Sequence, residues 1–228
     1  MVERVRRQVD GIVLSTVTRS PDRALHPPVV LLPGTGATAS DWDVVADDLG
    51  RDRVVHAVDQ RGHGESEWPG TYSIDLMAAD LTGLLAQLPT PVDLVGHSLG
   101  GLVACRALAA GAPSVRRLVL EDVGVLHPRA AATPTRPEGP LDLDWAVVEQ
   151  VRPEIDSPAA HWPDTLARVW QPTLGVSGGA RSFVRPEDVA ALAALVHDGR
   201  HVVIDAGHEV HGNEPEAFLR AVRAFLDD

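Results

Sequence analysis

Residues 92–104 read VDLVGHSLGGLVA, one serine among three glycines where an apolar run (Val92, Leu94, Val95) gives way to another. Gly-x-Ser-x-Gly between a strand and a helix has a mechanical meaning. The serine occupies a sharp, strained turn, and flanking residues without side chains let the two elements approach each other. Ser98 Oγ is then presented at the carboxyl edge of the sheet, where open α/β sheets bind ligands. The backbone N–H of Leu99, at the start of the helix, is placed to donate to an oxyanion with the helix dipole behind it. The chemistry expected is nucleophilic attack on a carbonyl carbon; the plain alternative is a Gly-rich turn with an incidental serine. Cys105, the only cysteine, lies in the apolar stretch after Ser98 and reads as a buried small hydrophobe. His208 and His211 sit in HEVH, which lacks the His-Glu-x-x-His spacing of a zinc helix and precedes a proline-started helix, so no metal site is expected.

The elements that must position Ser98 follow from periodicity. Short apolar runs at 11–17, 29–32, 53–58, 92–95, 117–120, 173–176 and 202–204 have the character of strands buried on both faces. Helical patterns lie between them: 40–49 stopped by Gly50, 73–88, 99–110 stopped by Gly111, 186–196 opened by Pro186, and a last helix opened by Pro215. Alternation of this kind predicts an α/β fold, a doubly wound, mostly parallel sheet with flanking helices. Residues 124–171 hold no strand candidate; they begin Pro-rich and carry Trp145, Trp162 and Trp170. The expected division is a core of 1–123 and 172–228, with a lid loop and small helical cap at 124–171.

GHSLGG resembles the nucleophile elbow of the α/β-hydrolase superfamily, and other segments agree. LLPGTG is similar to the loop that supplies a second oxyanion donor, by position the N–H of Thr35. VVHAVDQRGHGES resembles the Asp-x-Arg-Gly-x-Gly-x-Ser turn that precedes the elbow in this family, and VIDAGHEVHGNEPEAF its closing segment. The likeness runs from about Val29 to the C-terminus except for 124–171, with Pro33-Gly34 where many relatives have His-Gly. It implies that His208 is the general base, that Asp59, Arg61 and His63 brace the site, and that His97 shapes the pocket wall.

The third member of a triad is displaced. In relatives a carboxylate often follows the strand that here ends in GVSGG, but this chain continues Ala180-Arg181-Ser182-Phe183. Glu187 and Asp188 fall in the first turn of the next helix, where the dipole favours acids in any case. Asp122, at the end of LVLED, is expected at the carboxyl edge of the neighbouring strand, as in some members of the superfamily. It keeps the chain order nucleophile, acid, base. Alternation turns Glu121 to the opposite face. A Ser–His dyad is the remaining option.

A serine nucleophile implies an acyl-enzyme, with a small carboxylic ester, thioester or lactone as substrate. Other enzymes on the same triad (a carbon–carbon bond hydrolase, a perhydrolase or a synthase-type relative) and a non-catalytic ligand-binding protein stay open. Gly34, Gly36, Trp42, His97, Trp145, Trp162 and Phe183 are expected to line the pocket. A net charge of −12 argues against nucleic-acid or anionic-membrane partners. No apolar run is long enough to span a bilayer, and MVERVRRQVD lacks a signal-peptide core. The expectation is a cytoplasmic monomer or homodimer that needs no cofactor.

Overall fold

The computed structural model describes residues 1–89, 91–112 and 115–228. Its strands are β1 (Val2–Val9), β2 (Ile12–Arg19), β3 (Val29–Leu32), β4 (Val55–Asp59), β5 (Val92–His97), β6 (Val115–Glu121), β7 (Pro172–Ser177) and β8 (Asp198–Val203). They form one sheet in the order β1-β2-β4-β3-β5-β6-β7-β8. β2 runs antiparallel to both its neighbours, and every pairing from β4 to β8 is parallel.

The central strands are continuous apolar runs because both of their faces are covered. In β3, Val30 and Leu32 pack under α2 (Ile74–Leu85) and α3 (Leu99–Ala109) with Leu84 and Leu102. Val29 and Leu31 point the other way, towards α1 (Asp43–Leu49) and α8 (Pro215–Leu226), among Trp42, Leu49, Phe218 and Val222. The two edges of the sheet depart from expectation. β1 is missing from the sequence reading because VERVRRQV is mostly exposed and charged. It pairs with β2 through Asp10-Gly11, where φ values of 41° and 87° suit a tight hairpin, so the strand expected from residue 11 begins one residue later. β8 starts at Asp198 rather than 202. It is exposed along its length; Val202 and Val203 carry the apolar run read at 202–204, while the pairing of its first four residues with β7 is set by the backbone with no apolar pattern to announce it.

Between β6 and β7 lie α4 (Trp145–Asp156) and α5 (Trp162–Leu166). Asp144 caps α4, its side chain accepting from the Ala146 N–H. Val147, Val151, Trp162 and Leu166 join the apolar cluster that covers the α2–α3 face of the sheet. The segment docks on the turn after β4: Gly64 N–H donates to Asp142 O, Asp144 N–H to Gly62 O, and His63 bridges to Leu143. α6 (Pro186–Leu195) and the short α7 (Val210–Asn213) complete the set. No helix among the described residues is long and apolar enough to cross a membrane.

The glycines of the elbow are required by contact distance. A Cβ on Gly100 would stand 2.4 Å from Leu32 O and 2.6 Å from Pro33 O, and one on Gly96 would stand 2.7 Å from Gly101 Cα. These neighbours are backbone and have no rotamer to change. Gly100→Ala is therefore expected to cost about 3 kcal/mol or more, measured as a fall in the denaturant midpoint at unchanged slope. A change below about 1 kcal/mol would mean that α3 can slide away from β3.

Candidate active site

Register decides what meets at the sheet edge. β5 and β6 pair in parallel with His97 opposite Glu121, so the next residues, Ser98 and Asp122, leave adjacent strands at the same level. Both carry backbone angles that L-residues rarely adopt, φ 49° and ψ −119° at Ser98 and φ 51° at Asp122. Strain of this kind costs roughly 1–3 kcal/mol per residue and gathers at functional sites. The Ser98 turn is held by its N–H donating to Glu121 O and by its carbonyl accepting from Gly101 and Leu102.

His208 Nδ1 lies 2.7 Å from Asp122 Oδ2. The other carboxylate oxygen, Oδ1, accepts the Gly178 N–H at 2.8 Å, and the Ser182 hydroxyl also donates to Oδ2. Ser182 was not anticipated. It lies in the loop after β7 where the sequence reading found the usual acid missing, and that loop contributes two donors to the acid placed one strand away. With both oxygens of the buried Asp122 side chain already accepting from the Gly178 N–H and the Ser182 hydroxyl, the ring proton of His208 belongs on Nδ1, which leaves Nε2 free to accept. The imidazole lies between Phe183 and His97, with ring centroids at 4.2 Å and 4.6 Å. Ser98 makes no side-chain hydrogen bond among the described residues. Contacts of this type commonly close only when substrate is bound.

His97 donates from Nε2 to His208 O at 3.0 Å. Burial pushes its pKa below the ordinary 6.5, so His97 stands beside His208 as a neutral ring. Gly34 lies against this ring: a Cβ there would come within 2.9 Å of His97 Nδ1 and 3.2 Å of Ser98 Cβ. The N–H groups of Thr35 and Leu99 take no acceptor among the described residues.

The turn after β4 braces this edge. Asp59 accepts the Ala39 N–H at 2.7 Å and the Glu65 N–H at 3.1 Å and pairs with Arg4, while Arg61 makes a two-pronged bond to Asp80. Burial lowers the His63 pKa, and the neutral ring accepts the Gly36 N–H at Nε2 and donates from Nδ1 to Arg61 O. His211 does not join His208. It lies beneath the site on Glu121, with Nδ1 to Oε2 at 2.8 Å and its own N–H donating to Oε1, and it stacks on Trp42 at 4.1 Å.

Burial alone would lower the His211 pKa, but the Glu121 carboxylate outweighs it, and the value lies above the ordinary 6.5. A raised folded-state value means that the stabilisation is complete below pH 6.5 and fades as pH rises through the folded pKa. Glu121→Gln is expected to cost about 3 kcal/mol near pH 6, and less at alkaline pH. Unfolding free energies that differ from wild type by the same amount at both pH values would contradict the charged pair.

A cavity of about 340 Å³ opens above this edge, bounded by Gly34, Thr35, His97, Ser98, Asp122, Phe183 and His208. Three of the seven expected pocket residues are there, and four are not. Trp42 is fully buried under α8 on the other side of the sheet, because it is the apolar face of the turn into α1. Gly36 turns out to solvent while its N–H binds His63. Trp145 opens α4 at the end remote from the cavity, whose wall is made by later residues of that helix. Trp162 faces a different recess, with Ile74, Arg106 and Thr165. Trp170, the third tryptophan of the 124–171 segment, is 65% exposed and lies on His197. The roof is instead Leu126 and Arg129 from the loop and Val148, Val151, Arg152 and Ile155 from α4. Val148, Val151, Arg152 and Ile155 recur at spacings of three and four, one face of a helix. That signal was present in the sequence but does not say which side of α4 faces the serine.

The sequence pattern of the α/β hydrolase family matches residues 29–221. An N-formylmaleamate deformylase of Pseudomonas putida is 29% identical over 87% of this chain and 88% of its own length. An esterase of Mycobacterium tuberculosis is 31% identical over 88% of this chain and 83% of its own. The crystal structure of an enol-lactonase from Burkholderia xenovorans, 22% identical, superposes with a TM-score of 0.83 over 98% of this chain and all of that one. With the family pattern matched over most of its length, and a relative above 30% identity covered along nearly its whole sequence, the chain belongs to the α/β-hydrolase family.

Proposed function

We propose that the protein is a serine hydrolase that cleaves a small carboxylic ester through an acyl-enzyme, with Ser98 as nucleophile, His208 as base and Asp122 as the carboxylate that orients it. The observation that supports this most is the 2.7 Å bond from His208 Nδ1 to Asp122, at the edge of the cavity that also exposes Ser98. Relatives named as esterases and as a methyl ester esterase point to the same bond class.

In the first step the Ser98 proton moves to His208 Nε2 as Oγ bonds to the carbonyl carbon, and negative charge collects on the carbonyl oxygen. The Leu99 and Thr35 N–H groups would hold that oxygen, each worth on the order of 10²–10³ in rate. The tetrahedral species collapses by breaking the ester C–O bond, and His208 returns its proton to the departing alkoxide. Water then enters by the same route in reverse roles: it gives a proton to His208, attacks the acyl carbon, and Ser98 leaves with that proton. Residues 124–171 serve as lid loop and small cap, their apolar wall limiting the acyl group to a short chain.

A second reading, hydrolysis of an acyl C–N bond, is favoured by the likeness to a relative named as a deformylase. The test is turnover of p-nitrophenyl acetate and butyrate beside stoichiometric labelling by a fluorophosphonate. Ester turnover abolished in step with labelling of Ser98 is the expected result. Labelling without ester turnover would favour the C–N reading, and neither labelling nor turnover would leave a ligand-binding protein.

A further inference from the structure

We propose that the cap half of the cavity is an anion site in which Arg129 and Arg152, anchored by Asp156, bind a carboxylate on the substrate at the end away from the scissile carbonyl. The inference rests on the hydrolase reading above and names its substrate class: half-esters of short dicarboxylic acids.

Asp156 closes α4 and is buried, yet two guanidinium groups meet on it. Arg129 Nε donates to Oδ1 at 2.5 Å, and Arg152 Nε reaches both oxygens at 2.8 Å and 2.9 Å. The backbone of the loop is tied to the same residue, Ala132 N–H to Oδ2 and Arg129 N–H to Asp156 O. Burial opposes the charge on Asp156, but the bonds from Arg129, Ala132 and Arg152 overcome it and hold the pKa down at about 2.

One carboxylate thus faces two cations. The cluster keeps a net positive charge in the wall of the cavity. Each arginine spends its Nε on Asp156, and no described residue accepts from the Nη groups of either. A guanidinium with its Nη atoms unengaged is suited to a planar carboxylate. A merely structural role for Asp156 requires only one of the two arginines, and neither would need to border the cavity, as both do. The surface between them and Ser98 is apolar, lined by Val151, Ile155, Leu126 and Leu102. That favours a methylene chain between the reacting carbonyl and the anion. The two acidic residues of the lining, Asp122 and Glu209, lie with His208, one bonded to its ring and the other next to it in the chain, where they disfavour a substrate bound the wrong way round.

The deciding comparison uses two esters of equal length, monomethyl glutarate and methyl pentanoate, followed by pH-stat. The wild type is expected to prefer the anionic ester by about 100-fold in kcat/KM, chiefly through KM. That preference should shrink with added salt as the charges are screened. Arg152→Gln and Arg129→Gln should each reduce the preference about tenfold, the double variant should bring it near unity, and Arg152→Lys should restore part of it. A wild-type preference near unity, or one that survives in the double variant, overturns the anion site and leaves the ester reading intact. If neither ester is cleaved, calorimetry of glutarate binding to the Ser98→Ala protein decides. Binding that disappears in Arg129→Gln/Arg152→Gln keeps the site and removes the ester reading, and absence of binding removes the site.

Discussion

Ser98→Ala is expected to lower kcat for p-nitrophenyl butyrate by about 10⁶-fold, close to the full loss seen when the nucleophile of a triad is removed, with little change in KM. Every covalent step of the proposed reaction depends on this one oxygen. The Ser182 hydroxyl is engaged with Asp122, and the Thr38 hydroxyl with Ser40 and Asp41. Cys105 is fully buried in the core, where burial pushes its thiol up to about 12, so it supplies no thiolate. Alanine also leaves the turn strained at φ 49° with no Oγ to show for it, so stability should hold or rise slightly. The measurement is single-turnover kinetics with fluorophosphonate labelling as a control for residual wild type. A variant that retains more than about a hundredth of the wild-type rate would exclude an acyl-enzyme at Ser98.

Asp122→Asn should cost about 10⁴ in kcat, and the bonds around the carboxylate say why. The Gly178 N–H needs an acceptor at the Oδ1 position, 2.8 Å away. The asparagine carbonyl must satisfy it, which turns the amide NH₂ towards His208 Nδ1. The imidazole can then meet that donor only as an acceptor, with its proton moved to Nε2, where it blocks base catalysis. The fold is expected to survive, since the side chain keeps its shape and the Gly178 bond.

Glu187→Gln/Asp188→Asn is the matched control. Asp188 is occupied by Arg185 and His127, and the carboxylate on the imidazole is that of Asp122, so kcat should stay within about threefold of wild type. A small effect of Asp122→Asn combined with a large one in the control would return the acid to the α6 position and refute the assignment made from β6.

The serine elbow was legible because its requirement is local. Gly96, Gly100 and Gly101 stand where backbone meets backbone, a constraint written within six consecutive residues. The central strands were legible because burial on both faces leaves unbroken apolar runs, whereas β1, exposed at its edge, leaves no such mark and β8 shows it only in Val202 and Val203. The meeting of Asp122 with His208 could be inferred from the gap after β7 and from Asp122 at the end of β6, since two parallel strands deliver their following residues to one edge.

The pocket was another matter. Trp42 and Trp162 have the size and apolarity of wall residues, but packing sent one below the sheet and the other into a separate recess. Ser182 with Asp122 and Arg129 with Asp156 join residues 60 and 27 positions apart in the chain, and only docking of the β7 loop and of the segment before α4 brings them together. The sequence by itself determined the α/β architecture, the strained turn at Ser98 and the candidate residues His208 and Asp122. Tertiary structure alone decided which face of α4 covers the serine, what holds Asp122 and where the cationic wall stands. The physical reason is range: steric and periodic demands act between neighbours in the chain, while a cavity is defined by side chains that meet only after the helices have packed.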